Sequence, residues 1–221
     1  MNISVLGTGM VGQALASKLV ALGHQVMLGS RSAQNEKGLD WQKRNGESAS
    51  LGTFSDAARL GDIVIFAVKG DKVLEVAQQA GPEALANKVV VDVTNPLDFS
   101  QGMPPILIPA FSNTTSMAEE LQKQLPRSRV VKTLNTMNCE VMVDPGRVPG
   151  QHDVFVSGDD LAAKEAVVAI LRSFGWSDPI DLGALRTARA TEGMMPFWLS
   201  LWGVVGHADF NYRIVRQEKS A

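Results

Sequence analysis

The apolar positions change period several times along the chain. Ile3 to Leu6 is a short, mainly apolar run ended by glycines, which predicts a buried strand entering a tight turn. Val11, Leu15, Leu19 and Leu22 then recur at helical spacing, with Gly23 placed to end that helix. Gln25 to Leu28 reads as a second strand, so the chain opens with a strand–helix–strand unit. Further strands are expected at Ile63–Val68, Val89–Val93, Val130–Leu134 and Val154–Ser157. Val73, Ala77 and Ala80 give one helical face between them. Ser116 and Glu119 form a capping-box pair ahead of Met117, Leu121 and Leu125, and Pro126 stops that helix. Asp144 to Gly150, with two prolines and two glycines, reads as a loop. Asp159 or Asp160 caps a helix carried by Ala163, Ala166, Val167, Ile170, Leu171 and Phe174. Buried strands alternating with helices imply an α/β fold, a doubly wound and mostly parallel sheet covered on both faces.

From Gly183 the character shifts. Met194, Met195, Phe197, Trp198, Leu199, Leu201 and Trp202 crowd together in a stretch that predicts a C-terminal helical tail. The expected organisation is one domain over residues 1–182 and a helical extension over 183–221 that is not a domain of its own. A chain of 221 residues holds one full-sized domain and little more, which excludes a two-domain dehydrogenase. The apolar stretch from Met194 to Gly206 is interrupted by Pro196 and Ser200 and is shorter than the roughly 20 residues of a membrane span. It predicts a buried or subunit-facing helix, and a homodimer through it, because Phe197, Leu201 and Trp202 form more apolar surface than a monomer usually exposes.

Charge adds exclusions. With 21 Lys and Arg against 23 Asp and Glu, and no basic stripe, a nucleic-acid partner is disfavoured. A lone cysteine, Cys139, and a start without a basic and then apolar leader lead to the expectation of a cytoplasmic protein with no membrane partner.

Gly7-Thr8-Gly9-Met10-Val11-Gly12 is a G-x-G-x-x-G sequence between a predicted strand and a predicted helix. Gly7 makes the turn, Gly9 admits a pyrophosphate to the backbone, and Gly12 allows close packing of helix on strand. An NAD site would place a carboxylate at the end of the second strand, but the chain reads Gly29-Ser30-Arg31-Ser32. A guanidinium flanked by hydroxyls suits a 2′-phosphate, so NADP(H) is the expected cofactor. In an open sheet the ligand lies beyond the carboxyl ends of the strands. The loops that matter are therefore Ala67-Val68-Lys69, Thr94-Asn95-Pro96 and the one beginning at Asn135. Pro96 would stiffen its turn, and a satisfied turn residue competes with cofactor contact as the role of Thr94 and Asn135.

No acid–base group stands out. Tyr212 has no lysine four residues later, and His24, His152 and His207 are scattered without metal-ligand spacing. Cys139 reads as a small hydrophobe. With no catalytic residue and no metal site, the simplest chemistry is hydride transfer to an acceptor that carries its own electronics, such as a flavin.

The glycine loop together with Gly29-Ser30-Arg31-Ser32, Ile65-Phe66-Ala67-Val68, Val93-Thr94-Asn95-Pro96-Leu97 and Val131-Lys132-Thr133-Leu134-Asn135-Thr136 resembles the NADPH-dependent reductases of the 5-deazaflavin coenzyme F420. Relatives of that family include the cytosolic oxidoreductase domain of the six-transmembrane metalloreductases, which feed ferric reduction. The resemblance reaches about Asp181 and implies a Rossmann-type fold. It implies that Thr8, Met10, Ser30 and Arg31 hold the pyrophosphate and 2′-phosphate. It also implies that Ala67, Val68 and Asn95 line the nicotinamide end, with the acceptor ring stacked in a cleft bordered by the Asn135 loop and the tail. The cofactor-binding set is thus Gly7, Thr8, Gly9, Met10, Val11, Gly12, Ser30, Arg31, Ser32, Ala67, Val68, Lys69, Thr94, Asn95, Pro96 and Asn135. Arg186, Arg189, Glu192, Met194 and Trp198 depart from the family's deazaflavin users, and no deazaflavin-gripping motif is matched. The expected activity is hydride transfer between NADP(H) and a flavin or deazaflavin as small-molecule electron acceptor. Two alternatives remain, a non-catalytic NADP(H) sensor and a small imine reductase, although imine reductases of the pyrroline carboxylate type carry a helical dimerisation domain that this chain lacks.

Overall fold

In the computed structural model, which describes residues 1–217, unbroken apolar strands lie between two helical layers. The chain runs β1 (Asn2–Leu6), α1 (Met10–Ala21), β2 (Gln25–Ser30), α2 (Glu36–Asn45), β3 (Ala49–Thr53), α3 (Phe54–Leu60) and β4 (Ile63–Phe66). It continues through α4 (Val73–Ala80), α5 (Pro82–Leu85), β5 (Val89–Asp92), β6 (Leu97–Asp98), β7 (Ile106–Leu107), α6 (Met117–Gln124) and β8 (Arg129–Thr133). The last elements are α7 (Cys139–Val143), β9 (Phe155–Gly158), α8 (Leu161–Phe174), β10 (Ile180–Asp181), α9 (Ala188–Gly193) and α10 (Met195–Val205). Eight strands form one sheet in the order β10-β9-β8-β5-β4-β1-β2-β3, the doubly wound Rossmann-type arrangement. Every pairing in it is parallel except β8 with β9.

Strand residues alternate between two cores, which is why the runs are apolar on both faces. Val5, Ile65, Val91 and Val131 pack with Leu15, Leu19, Trp41, Val167 and Leu171 of α1, α2 and α8. Leu6, Val64, Phe66, Val90 and Val130 pack on the other side with Phe54, Val76, Ala77 and Leu121 of α3, α4 and α6.

Several elements escape the hydrophobic pattern, among them β3, α2 and α3. Edge strand β3 reads Ala-Ser-Leu-Gly-Thr with a single large apolar side chain. Helix α2 is mostly polar and is anchored by the buried Trp41, whose Nε1 donates to Ser17 Oγ at 2.9 Å. Helix α3 follows β3 directly, started by a Thr53–Asp56 capping box. The antiparallel β9 also departs from the wholly parallel alternation. Because β9 re-enters from the end at which β8 leaves, the connection holding α7 stays at the carboxyl edge of the sheet, beside the site.

The tail is tied to the sheet. Thr187 Oγ1 donates to Ser157 Oγ at 2.7 Å, Leu185 N to Asp159 at 2.9 Å, and Arg189 holds Glu119 through two hydrogen bonds of 2.8 and 2.6 Å. Helix α10 stops at Gly206 in the left-handed conformation, φ 80°. Beyond it the expected helical extension gives way to irregular chain. That segment packs back with Phe210 stacked on Trp198 and Asn211 bonded to His152 and Asp153. Residues 218–221 of the expected extension lie outside the described residues. Among the described residues no helix is long and apolar enough to cross a membrane.

Candidate functional site

The site forms where the strand order reverses, at the carboxyl ends of β1, β4 and β5. At the same edge β4, β5 and β8 end earlier than their apolar runs, at Phe66, Asp92 and Thr133, which frees Ala67–Lys69, Val93–Pro96 and Leu134–Asn138 to form loops. Gly7, at φ 129°, turns the chain from β1, and a Cβ there would lie 2.4 Å from Ala67 O. At Gly12 a Cβ would lie 2.0 Å from Gly7 O, so this glycine keeps the loop closed against α1. Around Gly9 nothing lies within 4 Å of the Cβ position, which leaves that side open to a ligand. Helix α1 has no side-chain cap and no acidic residue in its first turn. Its first N–H groups and dipole therefore face the loop uncompensated, an arrangement suited to an anion.

Two cavities meet over this loop. The first, of about 600 Å³, is lined by Gly7, Thr8, Gly9, Arg31 and Lys72 among others. The second, of about 680 Å³, is lined by Thr94, Asn95, Met137, Met142 and Met195 among others. Met10, Val11, Ala67, Val68 and Lys69 border both. A dinucleotide laid across this junction would place one end in each cavity. Thr94 Oγ1 in the second is buried without a partner, as a hydroxyl awaiting a ligand amide would be.

Eleven of the expected residues line these cavities, Gly7 to Val11 from the glycine loop together with Arg31, Ala67, Val68, Lys69, Thr94 and Asn95, whereas Gly12, Ser30, Ser32, Pro96 and Asn135 line neither. Ser30 is buried, donates from its hydroxyl to Ser32 O at 2.6 Å and accepts from Ser32 N, so it shapes the turn that presents Arg31. Ser32 Oγ accepts from Gln34 N at 3.1 Å. Pro96 is buried, and its backbone lies so close to Gly70 that a Cβ on that glycine would meet Pro96 Cα at 2.9 Å. The Asn95–Pro96 bond is trans, the cis peptide among the described residues being Met103–Pro104. Leu134 leaves β8 at φ 61°, an unusual conformation for a branched side chain, and this turns Asn135 toward Asn95. Asn135 Nδ2 donates to Asn95 Oδ1 and Asn95 Nδ2 to Asn135 O, each at 2.8 Å. The two bonds lock the loops together and hold Asn95, at both ends of its amide, in the cavity lining.

Beneath these loops lies a buried ion cluster. Lys132 Nζ sits 2.9 Å from Asp92 Oδ2, 2.7 Å from Glu192 Oε1 and 2.5 Å from Thr94 O. Glu192 also accepts from Met117 N and Ala118 N at the start of α6, at 2.8 and 3.3 Å. Burial works against the Lys132 ammonium, but the two carboxylates outweigh it and hold its pKa above the usual lysine value. Glu192 is pushed up by burial and by Asp92, against the pull of Lys132. A lysine inside Val130-Val131-Lys132-Thr133-Leu134 and an aspartate ending Val89-Val90-Val91-Asp92 were the available signals for this cluster. Lys72 beside Arg31 carried only the weaker signal of a cation in a loop.

The titratable side chains lining the second cavity are Lys69, Asp71, Asp98 and Cys139. Burial pushes the Cys139 thiol up, with Glu140 adding to it, so it stays protonated and apolar. Among the described residues no cluster of His, Cys, Asp and Glu could hold a metal ion.

A doubly wound sheet with a glycine loop open to an anion and an arginine in place of the ribose carboxylate defines a dinucleotide-dependent oxidoreductase. Residues 2–96 match the family model described as NADP oxidoreductase, coenzyme F420-dependent. The F420-dependent NADP reductase of Methanocaldococcus jannaschii is 30% identical over 209 residues, covering 91% of this chain and 92% of that one. A crystal structure from Arthrobacter sp. FB24, described as a candidate F420-dependent NADP reductase, superposes with a TM-score of 0.92 at 46% identity, covering 98% of this chain and all of that one. Metalloreductase STEAP3 of Rattus norvegicus is 30% identical over 202 residues, and this chain spans 38% of its length. The chain belongs to the F420-dependent NADP oxidoreductase family, and it is an NADP(H)-dependent oxidoreductase.

Proposed function

We propose that the protein moves a hydride between NADP(H) and a flavin or deazaflavin ring seated in the second cavity. The observation that carries this reading is the lining of that cavity. Apolar side chains, amides and a buried neutral thiol make up most of it, and its charged groups are Lys69, Asp71 and Asp98, with no histidine or tyrosine placed as a general acid for a carbonyl or imine. Bound NADPH supplies two electrons and a hydrogen to the acceptor ring, which takes its second proton from water. The chain's own residues bind, orient and exclude solvent. The glycine loop and the first N–H groups of α1 take the pyrophosphate, with Thr8 alongside. Arg31 takes the 2′-phosphate, helped by Lys72 and the Ser32 hydroxyl. Thr94 Oγ1 and Asn95 orient the nicotinamide amide, and Met10, Val11, Ala67, Val68 and Lys69 form the floor beneath the joined rings. Alignment of two rings at van der Waals distance is the main contribution to rate. Ferric reduction would be a later reaction of released reduced flavin.

Loss of NADPH absorbance in the presence of a panel of flavins and deazaflavins tests the reading. Turnover with at least one of them is expected, and tight NADPH binding without turnover on any acceptor would sink it.

The tail supports a homodimer. Phe197 and Trp202 are 57% and 40% exposed on α10, followed by Val204 at 87%, and a second copy of this helix would cover them. Light scattering at micromolar concentration is expected to give twice the chain mass, and a value near that of one chain would contradict the dimer.

A further inference from the structure

Apart from Lys69, the charged side chains that line the second cavity are acidic. Asp71, in the loop after β4, and Asp98, in β6, both line it. Neither pairs with a cation among the described residues. Asp98 Oδ1 accepts from Ser100 N at 2.8 Å, and this bond holds the carboxyl below the usual aspartate range, so it is ionised at neutral pH. The one cation in the wall, Lys69, borders both cavities, where it would lie against a bound dinucleotide. The cofactor brings further negative charge to the junction. Phe99, Ile108, Met137, Met142 and Met195 complete an apolar surface for a planar ring.

Resting on the reading that this cavity receives a flavin-type ring, we propose that it selects acceptors whose side chain is a neutral polyol over those carrying phosphate or oligocarboxylate groups. Sugar-alcohol hydroxyls donate hydrogen bonds to carboxylates, and such bonds to an ionised acceptor are among the stronger ones. Phosphates and carboxylates have no proton to give and meet Asp71 and Asp98 as like charges.

The test compares two pairs with the same ring, riboflavin against its 5′-phosphate, and the free deazariboflavin chromophore against its phosphorylated oligoglutamyl form. At low ionic strength the uncharged member of each pair is expected to show kcat/KM about 5- to 20-fold higher, a gap that closes near about 0.5 M salt as the charges are screened. Asp71→Asn with Asp98→Asn in one variant is expected to remove most of the gap. Equilibrium titration of the NADP+-loaded protein is expected to rank the four compounds in the same order. Charged members that react and bind as well at low salt, or a ratio unmoved in the double variant, would overturn the selection. If none of the four is turned over, the hydride-transfer reading falls, and the binding order alone upholds or overturns the charge selection.

Discussion

Replacing Lys132 with Met should destabilise the folded chain by about 3 to 5 kcal/mol, measured by urea unfolding, because it leaves the buried carboxylates of Asp92 and Glu192 facing each other without a cation. All three side chains are essentially buried, so water cannot take over the lost solvation. Glu192→Gln should cost far less, about 1 kcal/mol. The amide oxygen can still accept from Lys132 or from Met117 N, and the remaining Lys132–Asp92 pair is neutral overall. The order of the two variants is therefore the decisive quantity, and equal losses would show that the cluster is held by packing and not by charge balance. Lys132 also holds Thr94 O, so a Lys132→Met protein that does fold should bind NADPH more weakly.

Arg31→Ala should raise the Kd for NADPH by about 10- to 150-fold and leave that for NADH nearly unchanged. A charge-assisted hydrogen bond is worth about 1.5 to 3 kcal/mol, and only NADPH has the phosphate that receives it. Arg31 is exposed at the mouth of the first cavity, and the Ser30–Ser32 turn holds its backbone in place without help from its own side chain. Its removal should therefore change affinity and not the fold. Fluorescence titration with both cofactors reads the ratio, and equal weakening would show that Arg31 does not face the 2′-phosphate. Adding Lys72→Ala should deepen the NADPH loss, since Lys72 lines the same cavity.

The sheet's central strands were legible because each is a run of apolar residues whose alternate members feed two cores. The glycine loop was legible because its spacing is local. Helix α2 and strand β3 were not, since α2 is held by the single side chain of Trp41 and β3 lies at the sheet edge with little to bury. Asn135 shows the same limit within the site. Its residue type suggested either cofactor contact or a satisfied turn residue, and only the fold shows its amide bonded across two loops to Asn95.

By itself the sequence determined what depends on neighbours a few residues apart: the strand and helix periods, the Gly7 turn, and the Arg31 position that replaces a carboxylate. Tertiary structure alone decided what depends on residues far apart in the chain. Lys132 meets Asp92 and Glu192 from three separate elements, Lys72 joins Arg31 at one cavity, and Met195 from the tail closes the other. The physical reason is range. Backbone preference and side-chain periodicity act within a turn or a strand, whereas charge pairing and cavity shape exist only once the sheet has brought distant segments within a few ångströms.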